Sequence, residues 1–177
     1  MKKIIIFILL PFAILACNTN SSLVKAYRYT EQIQENSDKA LIGVESIDII
    51  DRKEGLIQIN IFCLNPNPIA GFQFNLEPKG FIDKEFEVFS GRAGSKGFTL
   101  NGKNGKVLGF SMTGALIPKS QNSNLSENIL ISIKGKLSED MPKEIILDQL
   151  VLASPKAKKM SSESLPFILE KAEKITK

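Results

Sequence analysis

An alternation of apolar and polar residues with a period of two runs through most of the chain between positions 44 and 153. It is clearest in segments 56–63, 72–76 and 129–137. Turn-forming stretches rich in Gly, Asn and Pro interrupt it at intervals of about 8–12 residues, which is typical of all-β domains. No amphipathic helix of adequate length separates these segments, which disfavours a parallel α/β sheet. The pattern therefore predicts one antiparallel β-sandwich or barrel.

Two polar segments predict tight hairpins. The charged stretch 51–55 ends in Gly55 between two strand-like runs. The stretch 101–105 contains two Asn-Gly dipeptides, which favour positive φ angles. Because burial of a large apolar side chain contributes about 1.5–3 kcal/mol, we expect the alternating apolar residues nearby to form the core. These residues are Phe72, Phe74, Leu76, Leu108 and Phe110.

The first seventeen residues have the pattern of a secretory signal peptide. Lys2 and Lys3 precede an apolar run at 4–15, and the small residue Ala16 precedes Cys17. The segment 14–17, Ile-Leu-Ala-Cys, resembles the lipobox of bacterial lipoproteins, in which the cysteine thiol receives a diacylglycerol. The resemblance implies that residues 1–16 are removed and that Cys17 carries the lipid. An ordinary secreted protein, with an incidental Cys17, is the alternative.

This pattern predicts a location in the bacterial cell envelope, with the chain lipid-anchored on the extracytoplasmic side of a membrane. It does not choose between the outer membrane, the cell surface and another leaflet. We expect residues 17–42 to be a lipidated tether, residues 43–155 the sandwich and residues 156–177 a polar tail. Within the tail, the spacing of Leu165, Ile168 and Leu169 after Ser164 predicts a short C-terminal helix.

Composition narrows the possible functions. The chain has no histidine, which excludes Ser-His or Cys-His catalytic pairs and imidazole metal ligands within it. Loss of Lys2 and Lys3 leaves 21 basic and 19 acidic side chains, and the one basic cluster is Lys156, Lys158 and Lys159. A nucleic-acid partner is therefore not expected, because phosphate binding needs a denser basic surface. We expect Cys63 to be a buried free thiol.

Three sequence blocks carry a family resemblance: 69–76, 107–114 and 129–137. Their order and spacing are similar to those of cohesin-like domains, and the likeness spans about residues 44–155. The resemblance implies a jelly-roll β-sandwich that acts as a protein-binding or surface-associated module and has no catalytic residues. It supplies no individual binding residue.

The sequence therefore predicts a non-catalytic module, without a cofactor or a metal, that binds a protein or a surface polymer such as a glycan. Loops at the ends of a sandwich often carry contacts, so we predict binding by Arg92 and Lys96 together with Asn101 and Lys103 in the 101–106 turn.

Two other functions stay open at this point. A carbohydrate-active or carbohydrate-binding protein would use carboxylates, for which the candidates are Asp48, Asp51, Glu85 and Glu87. Calcium binding would use oxygen ligands, but no D-x-[DN]-x-[DN]-G loop is present.

Overall fold

The computed structural model describes residues 23–25 and 38–169, which form two β-sheets packed face to face. The strands in chain order are β1 (Leu23–Lys25), β2 (Ala40–Asp51), β3 (Leu56–Leu64), β4 (Gly71–Glu77), β5 (Glu87–Phe89), β6 (Thr99–Lys103), β7 (Lys106–Phe110), β8 (Ile129–Lys136), β9 (Glu144–Ala153), β10 (Ser162–Leu165) and β11 (Phe167–Ile168). One turn of α-helix, α1 (Gly91–Ser95), and a 3₁₀ turn at Ser126–Asn128 interrupt them. This all-β sandwich confirms the predicted fold class. In the described ranges no helix is both long and apolar enough to cross a membrane.

The first sheet has the strand order β1-β2-β3-β8-β5, and β10 also pairs with β2. The β10–β2 pair is parallel, whereas the other pairs of this sheet are antiparallel. The second sheet has the order β11-β9-β4-β7-β6 and is antiparallel throughout. We call them sheet 1 and sheet 2.

The core lies between the two inner faces, because alternate side chains of a strand point to opposite faces. Ile57, Ile59 and Ile61 of β3 are fully buried on the inner face of sheet 1. Phe72, Phe74 and Leu76 of β4 are buried on the inner face of sheet 2, which confirms their predicted role. The strand alternation seen in the sequence therefore produces the core directly.

Both predicted hairpins form. Residues 52–55 connect β2 to β3, with Gly55 at φ 64°. Asn104 and Gly105 connect β6 to β7 with φ angles of 52° and 74°, the positive values that a two-residue hairpin turn needs. The other dipeptide, Asn101-Gly102, lies inside β6.

The segment predicted to begin a C-terminal helix is instead two short strands. Ser162–Leu165 forms β10 and pairs with β2 in sheet 1, and Phe167–Ile168 forms β11 and pairs with β9 in sheet 2. Leu165 and Phe167 are buried on either side of Pro166. The burial of these two side chains in different layers outweighs the local helical spacing, so the sandwich extends beyond the predicted limit at residue 155 and starts at Ala40 rather than residue 43. Residues 170–177 lie outside the described part of the chain.

The strands run between two ends of the sandwich, which we call the near end and the far end. The near end carries the turns at 52–55, 104–105 and 137–143. The far end carries the segment 65–70, α1, the loop 111–128 and the segment 154–161.

Candidate binding face

The outer face of sheet 2 is formed by residues that alternate with the buried ones on β4, β6, β7 and β9. One row across these strands contains Asn101, Leu108, Gln73 and Val151, which are cross-strand neighbours in that order. The next row contains Lys103, Lys106, Asn75 and Asp148. Polar and apolar side chains therefore stand side by side on a single surface, which we call the sheet 2 face.

Apolar side chains on this face are exposed to solvent. Leu108 of β7 is 37% exposed and Ile146 of β9 is 38% exposed. Ile168 of β11 is 60% exposed and lies opposite Glu144, diagonal to Ile146 on the neighbouring strand. Met112, just beyond the end of β7, is 80% exposed at the far-end rim. These residues give the sheet 2 face the mixed character typical of a protein contact surface.

The central part of the outer face of sheet 1 is different, because its polar side chains bond to one another. Asn60 of β3 donates to Ser46 Oγ at 2.9 Å and to Asp48 Oδ2 at 3.0 Å. Its own Oδ1 accepts from Ser132 Oγ at 2.8 Å and from Gln58 Nε2 at 2.9 Å. With these groups satisfied internally, this surface offers a partner fewer free donors and acceptors.

Two of the predicted binding residues lie on the sheet 2 face. Asn101 and Lys103 are exposed on β6, directly opposite Leu108 and Lys106. Lys103 Nζ is 3.2 Å from Glu85 Oε1, and both side chains are more than half exposed. Such a surface ion pair contributes little to stability, about 0–1 kcal/mol, so Lys103 can exchange it for a partner.

Arg92 was predicted to bind a ligand, but its guanidinium is engaged inside the protein. Gly91 and Arg92 begin α1 rather than an open loop, and Arg92 Nη1 donates to Asn65 Oδ1 at 2.9 Å and Asn128 Oδ1 at 3.2 Å. The same nitrogen reaches the Cys63 carbonyl at 3.0 Å and Ser120 Oγ at 3.2 Å, and Nη2 donates to the carbonyl of Pro118. Burial lowers the pKa of Arg92. Arg92 therefore holds the 118–128 segment to the end of β3.

Lys96, which was grouped with the 101–106 turn, does not lie beside that turn. Lys96 is exposed at the end of α1, at the far end, whereas Lys103 lies at the near end of β6. The five residues of β6 separate the two ends by about 13 Å at 3.3 Å per residue. Sequence proximity suggested one loop cluster, but an intervening strand places the two loops at opposite ends.

Cys63 is fully buried, as predicted, and is a free cysteine. Burial raises the pKa of its thiol to about 12, and the nearby Arg92 charge opposes this shift only in part. A neutral thiol at physiological pH is a poor nucleophile. Cys63 therefore serves as a core residue.

The carboxylates considered for carbohydrate chemistry fall into separate places. Asp48 accepts from Asn60, and Asp51 Oδ1 accepts the backbone N–H groups of Lys53 and Glu54 in the hairpin turn. Glu85 and Glu87, by contrast, line one open cleft of about 550 Å³ between β5 and β8, together with Phe86, Lys134 and Lys136. In the part of the chain that the structure describes, no three acidic or thiol side chains are placed to hold a metal ion.

Neither the sheet 2 face nor its apolar members were identified from sequence. Leu108 was predicted to be core, but Val107 and Gly109 are the buried residues of β7. Gly109 could have indicated that position 109, and not Leu108, faces the core. A glycine on a buried face leaves space that the side chain of its cross-strand neighbour fills. The continuous apolar run 145–147 in β9 likewise places Ile146 on the opposite face from Ile145 and Leu147.

The fold and this face define an all-β sandwich with an exposed mixed sheet surface. No protein-family model and no curated protein matches the chain. Among solved structures, the chain is similar to a non-cellulosomal cohesin from the hyperthermophilic archaeon Archaeoglobus fulgidus, with 11% identity and a TM-score of 0.44. The similarity covers 76% of this chain and 94% of the cohesin.

Proposed function

We propose that this protein is a non-catalytic binding module of a bacterial cell envelope, anchored by a lipid on Cys17, whose sheet 2 face binds another protein. The lipobox-like segment 14–17 supports the anchor. It lies outside the described residues, as do the rest of the signal peptide and most of the predicted tether. The resemblance of three sequence blocks to cohesin-like domains agrees with a protein partner.

The exposed apolar side chains of the sheet 2 face are the observation that carries the binding proposal. Removing apolar surface from water contributes about 25 cal/mol per Å², so covering Leu108 and Ile146 favours association. The five strands contain 29 residues in total, which at about 3.3 Å per residue and about 4.8 Å between strands give the face an area of roughly 460 Å². A standard interface buries about 800 Å² on each partner, so this face and its Met112 rim provide most of one.

Polar neighbours on the same face would make the contact selective. Asn101 offers both an amide donor and an acceptor, Lys103 a positive charge and Asp148 a negative charge, and all three are exposed. Charged groups at the rim of an interface control the rate and selectivity of association more than its affinity. A folded protein with a complementary apolar centre and polar border is the partner that this arrangement fits.

Site-specific photo-crosslinking in the native envelope tests this proposal. A photoreactive phenylalanine analogue at position 108 should give an adduct of discrete mass, and Ile146→Lys in the same chain should abolish that adduct. Ile50 supplies the matched control, because it is 47% exposed but lies on β2 of sheet 1. An adduct of the same mass from position 50, or one that survives Ile146→Lys, contradicts binding by the sheet 2 face.

The anchor is tested separately by Cys17→Ala. The protein with Cys17 should partition into the detergent phase of a phase-separating detergent, and the Cys17→Ala variant should move to the aqueous phase. Retention of the variant with the membrane would contradict lipid attachment at Cys17.

Glycan binding in the β5–β8 cleft is a second candidate, favoured by the placement of Glu85 and Glu87 beside Phe86. Carboxylates bond to sugar hydroxyls and an aromatic ring packs on a sugar face. If the cleft binds glycans, the pair Glu85→Gln and Glu87→Gln should release the protein from isolated cell-wall polysaccharide. Unchanged retention would exclude the cleft.

A further inference from the structure

The first described strand determines from which side the chain enters the sandwich. β1 is antiparallel to β2, with Leu23 opposite Asp48 and Lys25 opposite Ser46. β2 itself starts at the far end with Ala40 and reaches the near end at Asp51. Because β1 runs antiparallel to β2, its first residue, Leu23, is the end of β1 nearer to the near end.

The number of residues before Leu23 limits how far Cys17 can lie from it. Cys17 precedes Leu23 by six positions, which span at most about 20 Å when fully extended. Leu23 is level with Asp48, and Ala40 lies eight residues back along β2, or about 26 Å at 3.3 Å per residue. Asp51, at the near end, is only three residues away, or about 10 Å. Cys17 can therefore pass the near end but cannot reach the far end.

We infer that the bilayer holding the lipid of Cys17 lies on the near-end side of the sandwich, and that the far end, with α1 and the loop 111–128, is held away from it. This inference rests on the proposed lipid anchor. The partner of the near end is a phospholipid surface. Of the near-end turns, the one at 52–55 is electrically balanced, since Arg52 and Lys53 stand beside Asp51 and Glu54.

The direction from which a protein partner reaches the sheet 2 face depends on this orientation. The strands of this sheet run between the near and far ends, so the face extends from the membrane side outward. Lys103 lies at the end towards the bilayer, whereas Met112 lies at the end away from it. A partner that projects from the envelope meets Met112 and Leu108 first.

Fluorescence quenching on vesicles tests the orientation. Single cysteines replace two exposed residues, Glu139 in the 137–143 turn at the near end and Ser123 in the 111–128 loop at the far end. Each cysteine is labelled with a nitrobenzoxadiazole dye in the full lipidated chain. Cys63 is fully buried and stays unlabelled. On vesicles that contain phospholipids with nitroxide headgroups, we expect quenching at position 139 to exceed quenching at position 123 several-fold. Equal quenching, or stronger quenching at position 123, overturns the inference.

A longer tether provides the decisive comparison. Insertion of about twelve Gly and Ser residues between Ser22 and Leu23 adds roughly 40 Å of reach and leaves the β1 sequence unchanged. The quenching difference should then collapse, because the far end also comes within reach of the bilayer. A difference that persists unchanged shows that the tether does not set the orientation. Flotation of Cys17→Ala with the vesicles is a separate result, which contradicts the anchor itself.

Discussion

Gly109 of β7 lies directly opposite Phe72 of β4, and the ring of Phe72 occupies the space that a side chain at position 109 would need. A Cβ atom at position 109 would be 2.1 Å from Cζ of Phe72. Position 109 therefore faces the core, and the alternation of the strand places its neighbours Leu108 and Phe110 on the opposite face. This pair therefore accounts for the exposure of Leu108 on the sheet 2 face.

Gly109→Ala is expected to destabilise the protein. Phe72 is buried, and its ring centroid lies 6.4 Å from that of Phe74 and 6.3 Å from that of Phe98, so it cannot swing away freely. Overpacking of this kind costs about 1–3 kcal/mol of unfolding free energy, measured by denaturant titration. Gly94→Ala is the control, since nothing lies within 4 Å of a Cβ there. Equal stability of both variants would show that Phe72 has room to move.

Arg92→Met should destabilise the far end although the side chain keeps most of its apolar length. The substitution leaves the buried side-chain oxygens of Asn65 and Asn128 without this donor. Asn65 Oδ1 keeps a hydrogen bond from Ser120 Oγ at 3.2 Å, so the Asn128 oxygen is the acceptor that loses its donor. A buried acceptor without a partner costs about 1–3 kcal/mol, and we expect a loss of this size in chemical denaturation. Lys96→Met is the control, because it alters an exposed side chain at the end of the same helix, α1. It should change the unfolding free energy by less than about 0.5 kcal/mol. A small effect at Arg92 would refute its structural role.

Alkaline pH should weaken the fold through Cys63. Burial raises the pKa of the thiol from 9.0 to about 12, so the folded state holds this proton more tightly than the unfolded chain does. The contribution to stability is fully present below pH 9 and is lost as the pH rises from 9 towards 12. The contribution of the Cys63 thiol is measured by comparing the unfolding free energies of the unchanged protein and Cys63→Ala as the pH rises from 9 towards 12. The difference between the two proteins should shrink as the pH rises, and a constant difference would contradict the prediction.

Lysine at positions 108 or 146 should impair binding without unfolding the protein. Both side chains are more than one third exposed, so each substitution should change the unfolding free energy by less than about 0.5 kcal/mol. Phe74→Ala, on the buried face of the same sheet, should cost about 3–5 kcal/mol. Denaturant titration of the three variants checks this contrast. A loss of several kcal/mol at Leu108 would mean that it belongs to the core.

Features that depend on neighbouring residues were predictable from the sequence. Gly55 and the Asn104-Gly105 pair supply positive φ angles at the two hairpins, and the alternation around Phe72 and Phe74 sets the inner face of β4. These properties depend on a few consecutive residues. Turn type and strand period are accordingly visible before any tertiary contact is known.

Features that depend on residues distant in sequence were not predictable. Arg92 has a polar, loop-like neighbourhood, and only the folded chain brings Asn65, 27 residues before it, and Asn128, 36 residues after it, to its guanidinium. The 162–168 segment has helical spacing, but Leu165 is buried in sheet 1 and Phe167 is buried in sheet 2. Long-range hydrogen bonds decide the first case, and burial of apolar side chains decides the second.

The sequence by itself determined the all-β class, the two hairpins and the inner faces of the central strands, because period and turn chemistry are local properties of the backbone. The tertiary structure decided that Leu108 is exposed, that Arg92 is a structural residue and that the chain ends its described part as strands. Each of these outcomes depends on contacts between residues distant in sequence, such as Phe72 with Gly109 and Arg92 with Asn128. The sheet 2 face, and with it the proposed binding function, therefore emerges only when the two sheets are assembled.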